Sequence, residues 1–302
     1  MFWPSSVLNS VRVHNDALAS PLILAATYFT ARWDARQVLR DFWLAVAAAA
    51  LAVLTKASGY VAAATFIVFL FVHLRARTVS RRDVVRAGIA LSILGAAAVL
   101  AVVSRLEESP HRLCQEVLGH ACDGRYAPPV ADTPGHFVFF DLPDFLGRMD
   151  ATPNYPRPDY FWNRFAKSSL FGALPLGDEF QSTRHAVLGI AIKVLFLVMV
   201  AFCACGAIFL RPASWRPYRV YATAGLIMII ALLAFRIRVP NEFHEDFRHV
   251  FAGLVPFCLA YALVVERARR VSSALYWTGM AVGLSMIGAS VAFFAHVPSS
   301  LS

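Results

Sequence analysis

Apolar residues run along this chain in blocks, and the charged residues gather between them. The blocks approach the roughly 17–25 residues that a helix needs to cross ~30 Å of hydrocarbon at about 1.5 Å per residue. The pattern predicts eight spans: Ala17–Ala31, Phe42–Leu54, Gly59–Leu74, Val85–Val103, Ala186–Leu210, Tyr218–Phe235, Val250–Val265 and Ser273–Ala295. The second and third are short, and only Thr55-Lys56-Ala57-Ser58 joins them, which implies a tight helical hairpin. A long polar stretch separates the fourth from the fifth. The predicted fold is all-α: a polytopic transmembrane helical protein of about eight spans with one long extracytoplasmic loop. Residues 1–104 carry helices one to four, residues 105–185 the loop, and residues 186–302 helices five to eight.

Composition supports this reading. Hydrophobic residues make up 58% of the 302 and charged residues only 16%, against about 25% charged in soluble domains. The formal net charge of +9 does not point to nucleic acid, because the basic residues sit mainly between apolar blocks. Every second connection is basic. Arg32, Arg36 and Arg40 follow span one; Arg75, Arg77, Arg81, Arg82 and Arg86 follow span three. Arg211, Arg216 and Arg219 follow span five; Arg267, Arg269 and Arg270 follow span seven. Short basic loops stay in the cytoplasm, so the Lys56 turn, the Arg105–His185 loop and the Arg236–His249 loop face outward. This orientation puts Met1 outside, yet the first sixteen residues hold neither an apolar span nor a signal peptide. The expectation is therefore a C-terminal part of a longer protein with an odd number of spans upstream. The excess of Arg over Lys and the abundance of Ala suggest a bacterial source, and with it the inner (cytoplasmic) membrane.

Cys203, Cys205 and Cys258 lie within apolar blocks and read as packing residues. Cys114 and Cys122 lie in the long loop, where an oxidising compartment would permit a local disulfide.

Ionisable groups at or within a bilayer are costly and each calls for a reason. Asn15-Asp16 stands at the outer mouth of span one, with Arg12 and His14 beside it. It reads either as a helix cap or as an acidic group facing an outer cavity. Lys56 either snorkels to headgroups or pairs with a phosphate. Before span seven, Asn241-Glu242-Phe243-His244-Glu245-Asp246-Phe247-Arg248-His249 gathers three acids, two histidines and an arginine. It is not a zinc-protease helix, because the place four residues after His244 is Arg248. A looser carboxylate–imidazole site or a self-paired loop remains, and Arg248 has the guanidinium fork that suits phosphate. His14, Asp16 and His244 are the candidate metal donors, so a divalent metal is the cofactor to consider. The segment Trp162 to Gly172 reads as an interfacial amphipathic helix, with Trp and Phe down and Arg164 and Lys167 up. Lys193 lies within span five, about 13 Å of helix from Arg184. It is either buried against neighbouring helices, snorkelling, or functional. No Walker loop, dinucleotide fingerprint, nucleophile elbow or paired-cysteine zinc pattern occurs.

Four segments resemble, in order, motifs of the GT-C membrane glycosyltransferases, in the branch of protein O-mannosyltransferases and the lipid A aminoarabinose transferase (family 39-like). They are Arg12-Val13-His14-Asn15-Asp16-Ala17-Leu18, Leu54-Thr55-Lys56-Ala57-Ser58-Gly59, Trp162-Asn163 with Lys167-Ser168-Ser169-Leu170-Phe171-Gly172, and Asp246-Phe247-Arg248-His249. The resemblance implies transfer of a sugar from a polyprenyl-phosphate carrier to a glycan, lipid or protein acceptor outside the cytoplasm. A carboxylate would act as general base, and cations would stabilise the leaving phosphate. By motif, Lys56 and Arg248 would hold phosphate, with Lys167 also at the substrate, and Asp16 would bind metal or shape the pocket. The family's catalytic acid lies in a first outer loop that this sequence does not contain, so the expected base lies upstream of Met1. The competing readings are a transporter or lipid flippase, which would need a charged path at the midplane, and a non-catalytic truncated membrane protein.

Overall fold

The computed structural model describes residues 15–76, 80–108, 134–147, 160–171, 182–209, 218–238 and 252–295. Among them every regular element is a helix, and no strand occurs. Four helices open the fold: α1 (Asn15–Arg36), α2 (Leu39–Thr55), α3 (Tyr60–Ala76) and α4 (Arg81–Glu108). Three short ones follow: α5 (Pro134–Val138), α6 (Leu142–Gly147) and α7 (Phe161–Phe171). The last four are α8 (Thr183–Phe209), α9 (Arg219–Arg238), α10 (Leu254–Ala268) and α11 (Ser273–Ala295).

The eight longer helices coincide with the eight apolar blocks. Among the described residues, five stretches are long and apolar enough to cross a membrane: Ala57–Arg75, Arg81–Ser104, Thr183–Gly206, Arg219–Ile237 and Ser273–Ala295. The chain is thus a helical membrane protein, and five of the eight expected spans meet this measure among the described residues. Helices α2 and α10 are 17 and 15 residues long, short for ~30 Å of hydrocarbon. Helix α1 mixes its apolar run with Asp16, Arg32, Asp34 and Arg36.

Packing explains these exceptions in part. Helix α2 packs against α1, α3 and α4. Its Ala45, Ala48, Ala49 and Ala52 are buried, at the i, i+3, i+4, i+7 spacing of one helix face. Small side chains let neighbouring backbones approach, which is how helices associate where lipid offers no hydrophobic drive. The polar groups inside are satisfied locally. Thr27, Thr30, Thr65 and Ser290 each donate a hydroxyl hydrogen bond to the carbonyl four residues back, at 2.8, 2.7, 2.8 and 2.6 Å. By contrast α4, α8, α9 and α11 leave large apolar side chains exposed, among them Leu100, Val187, Leu226 and Leu284. Water would not tolerate such surfaces, whereas lipid would.

Two groups of helices result. Helices α1 to α4 pack together, α8 packs with α10 and α11, and α9 bridges them by contacting α1, α3 and α10. An ion pair locks one end of this bridge. Arg219, in the first turn of α9, donates from Nε to Asp34 Oδ2 at 2.8 Å and from Nη2 to Asp34 Oδ1. Its guanidinium also lies 5.4 Å from the Phe69 ring centre. This two-point geometry is specific, and it places the first and third basic connections at the same end of the bundle, as alternation of spans requires. Nearby, the buried Asp41 carboxylate lies 3.3 Å from Arg32 Nε. Because the Asp34–Arg219 pair is partly exposed, Asp34→Asn is expected to cost only about 1 kcal/mol. A double-mutant cycle with Arg219→Gln, followed by thermal unfolding in detergent, checks that value.

Candidate functional site

The opposite end of the bundle carries the short helices and most of the buried charge. The backbone of α6 is organised first. Asp141 caps it, its Oδ1 accepting from the Asp144 amide at 3.0 Å. Asn163, from α7, then reads the same turn from both sides. Its Oδ1 accepts from the Asp141 amide at 2.8 Å, and its Nδ2 donates to the Asp141 carbonyl at 2.6 Å and to Asp144 Oδ2 at 3.3 Å. One turn further along α7, Lys167 Nζ bonds Asp144 Oδ2 at 2.7 Å. The Lys167 side chain is fully buried, while that of Asp144 keeps about a fifth of its surface open. Helix α5 is tied in by Trp162, whose Nε1 donates to the Phe137 carbonyl at 2.8 Å. The Phe137 and Phe161 rings are 5.7 Å apart.

Beneath this layer the long helices supply two more buried cations. Lys193 of α8 donates to the Leu146 carbonyl in the last turn of α6 at 3.1 Å. Its Nζ lies 5.8 Å from the Phe145 ring centre and 5.7 Å from that of Phe171. Arg236, in the last turn of α9, places its guanidinium 6.0 Å from the Phe137 ring centre. Both side chains are buried, and aromatic faces suit cations removed from water. At the start of α8, His185 meets the Ser182 hydroxyl at 2.7 Å through Nδ1 and packs edge-on against Phe293.

The sequence candidates distribute unevenly. Lys167 lies at the centre of this cluster, as a buried partner of Asp144. Helix α7 is not the surface-lying helix expected from its pattern: Arg164 and Lys167 are buried, and Trp162 and Phe165 are the more open positions. Its polar face turns inward because Asp144 and the α6 backbone wait there. Lys56 stands apart in the turn between α2 and α3, at the same end of the bundle as the cluster. Helix α1 begins at Asn15, so Asp16 falls in its first turn, but its side chain lies outside the described residues. So do His14, His244, Arg248, Cys114 and Cys122. Among the described residues, no group of three His, Cys, Asp or Glu side chains comes together to hold a metal ion. Asp144 and Arg236 escaped the sequence reading. Arg236 offered one signal, a cation directly continuing the Leu232-Leu233-Ala234-Phe235 run; Asp144, in a Pro-rich loop, offered none.

Comparison with family models, with curated proteins and with solved structures finds no match to this chain.

Proposed function

We propose that this chain crosses the membrane with eight helices and forms a GT-C-type glycosyltransferase, or the C-terminal part of one. It would act on a polyprenyl-phosphate sugar at the outer face of a bacterial inner membrane. The observation that carries the reading is the concentration of buried cations, Arg164, Lys167 and Arg236, at the end of the bundle that also bears the Lys56 turn. The basic connections, with their Asp34–Arg219 pair, occupy the other end. A transferase that uses a lipid phosphate needs cationic groups near the headgroup plane, on one side only. The four-part motif resemblance supplies the substrate class. In this reading Lys56 and Arg248 contact the phosphate, Asp16 shapes the pocket or takes part in a metal site with His14 and His244, and Lys167 holds α6 and α7 beside it. Transport is the weaker reading, because Lys193, its midplane charge, already engages the Leu146 carbonyl and two rings.

Replacing Lys56 and Arg248 together by Gln should weaken binding of polyprenyl phosphate by about a hundredfold. Membrane insertion should remain normal. Binding to the purified protein in nanodiscs measures this directly, and sugar release from a panel of polyprenyl-phosphate hexoses and pentoses should fall in parallel. Unchanged binding in the double variant removes the phosphate assignment.

A further inference from the structure

Side-chain hydrogen bonds join helices α5, α6 and α7 to one another, and α6 also packs against α8. The Asn163 hydrogen bonds, the Lys167–Asp144 pair and the Trp162 bond to Phe137 all run within this trio. It is also seated deep. Leu146 meets Lys193, ten residues into α8, and the Phe145 ring reaches Phe196 at 6.3 Å, three residues deeper still. At about 1.5 Å per residue these partners lie roughly 15–20 Å along the helix from its outer end. Non-helical backbone is tolerated at that depth only where protein encloses it; Phe145, Phe161, Leu170 and Phe171 are buried, while Val138, Phe139 and Leu142 stay exposed.

The geometry points to a plug. Helices α5–α7 form one rigid unit inserted into the outer mouth of the bundle and keyed there by two cations of the membrane helices, Lys193 under α6–α7 and Arg236 under α5. Lys193 fits such a key because it places a charge on an acceptor at the end of α6, where a helix leaves carbonyls unsatisfied, and between two aromatic faces. Arg236 does the same for the Phe137 ring, at the far end of the helix that Arg219 anchors below. The two keys grip different helices of the trio, so each positions its own part of it. This inference rests on the packing alone and stands whether or not the chain transfers sugar.

Amide hydrogen exchange on the full chain in nanodiscs tests it. Lys193→Met should speed exchange in α6 and α7 by about tenfold or more and leave α1–α4 unchanged. Lys193→Arg, which keeps the charge, should stay close to wild type. Arg236→Met should loosen α5 more than α6. Unchanged exchange in α6 and α7 for Lys193→Met overturns the proposal. So does equal loosening of every helix, which would make Lys193 a general packing residue. Should Lys193→Met not fold, the Lys193→Arg and Arg236→Met profiles decide the question by the same criteria.

Discussion

Gly59→Ala should unfold or severely loosen the first half of this protein, at a cost of about 3 kcal/mol, near the upper end of overpacking penalties. Gly59 closes the turn between α2 and α3, its amide bonding the Lys56 carbonyl at 2.9 Å. A Cβ at this position would collide with the Ala52 carbonyl group and the Val53 amide nitrogen of α2. These are backbone atoms of a buried helix, so no rotamer change relieves the clash. Either the hairpin opens or α2 shifts against α1 and α4. The control is internal: Gly88 and Gly95 on α4 have open space where a Cβ would go. Alanine there should be neutral or stabilising by about 0.5–1 kcal/mol, through helix propensity. Thermal unfolding of the three variants in one detergent checks the contrast, and a Gly59→Ala that melts with Gly95→Ala would show the turn to be looser than its packing. The lysine three residues earlier gains meaning from this. With Gly59 pressed against α2, the turn holds a fixed shape, and Lys56 is presented from it at a defined place.

Helix positions were legible in the sequence for a simple reason. Apolar blocks of membrane-spanning length have no alternative in lipid, because every backbone group must be satisfied within the segment. Block ends read this way fell within about three residues of the helices, except at the end of α1, which continues through Arg32 to Arg36, at both ends of α4, which runs from Arg81 to Glu108, and at the start of α10, which begins at Leu254. The tight α2–α3 hairpin was equally plain, because four residues leave no other path. Hydropathy alone does not decide how many helices cross, since α2 is short and packs against three neighbours while still exposing Leu51 and Leu54. The cluster of short helices was only half legible. Lys167 and Asn163 stood out, but their side of the helix was misjudged. Amphipathic pattern gives the polar face of α7, not what that face meets. The carboxylate that draws it inward comes from Asp144, 23 residues earlier, in a segment with no periodicity to read. Lys193 was recognisable as a misplaced charge, yet its partner is a backbone carbonyl, which leaves no trace in sequence.

The second large effect is expected at that same pair. Asp144→Ala should destabilise the α6–α7 layer by about 3 kcal/mol, because it leaves the fully buried Lys167 ammonium without its carboxylate. Lys167→Met should cost less. The stranded carboxylate keeps its Asn163 contact, and about a fifth of the Asp144 side chain still reaches the surface. The double variant Asp144→Leu with Lys167→Met should be milder than Asp144→Ala alone, since a buried ion pair replaced by apolar groups of similar size is often neutral. The coupling energy from this cycle separates two roles for Lys167. If the double variant recovers stability and also binds polyprenyl phosphate like wild type, the lysine serves only to join α7 to α6. If stability recovers while binding stays weak, Lys167 contributes its charge to the ligand as well, and the motif in which it stands describes a site as well as a joint. Unfolding curves and binding measured on the same preparations distinguish the two outcomes.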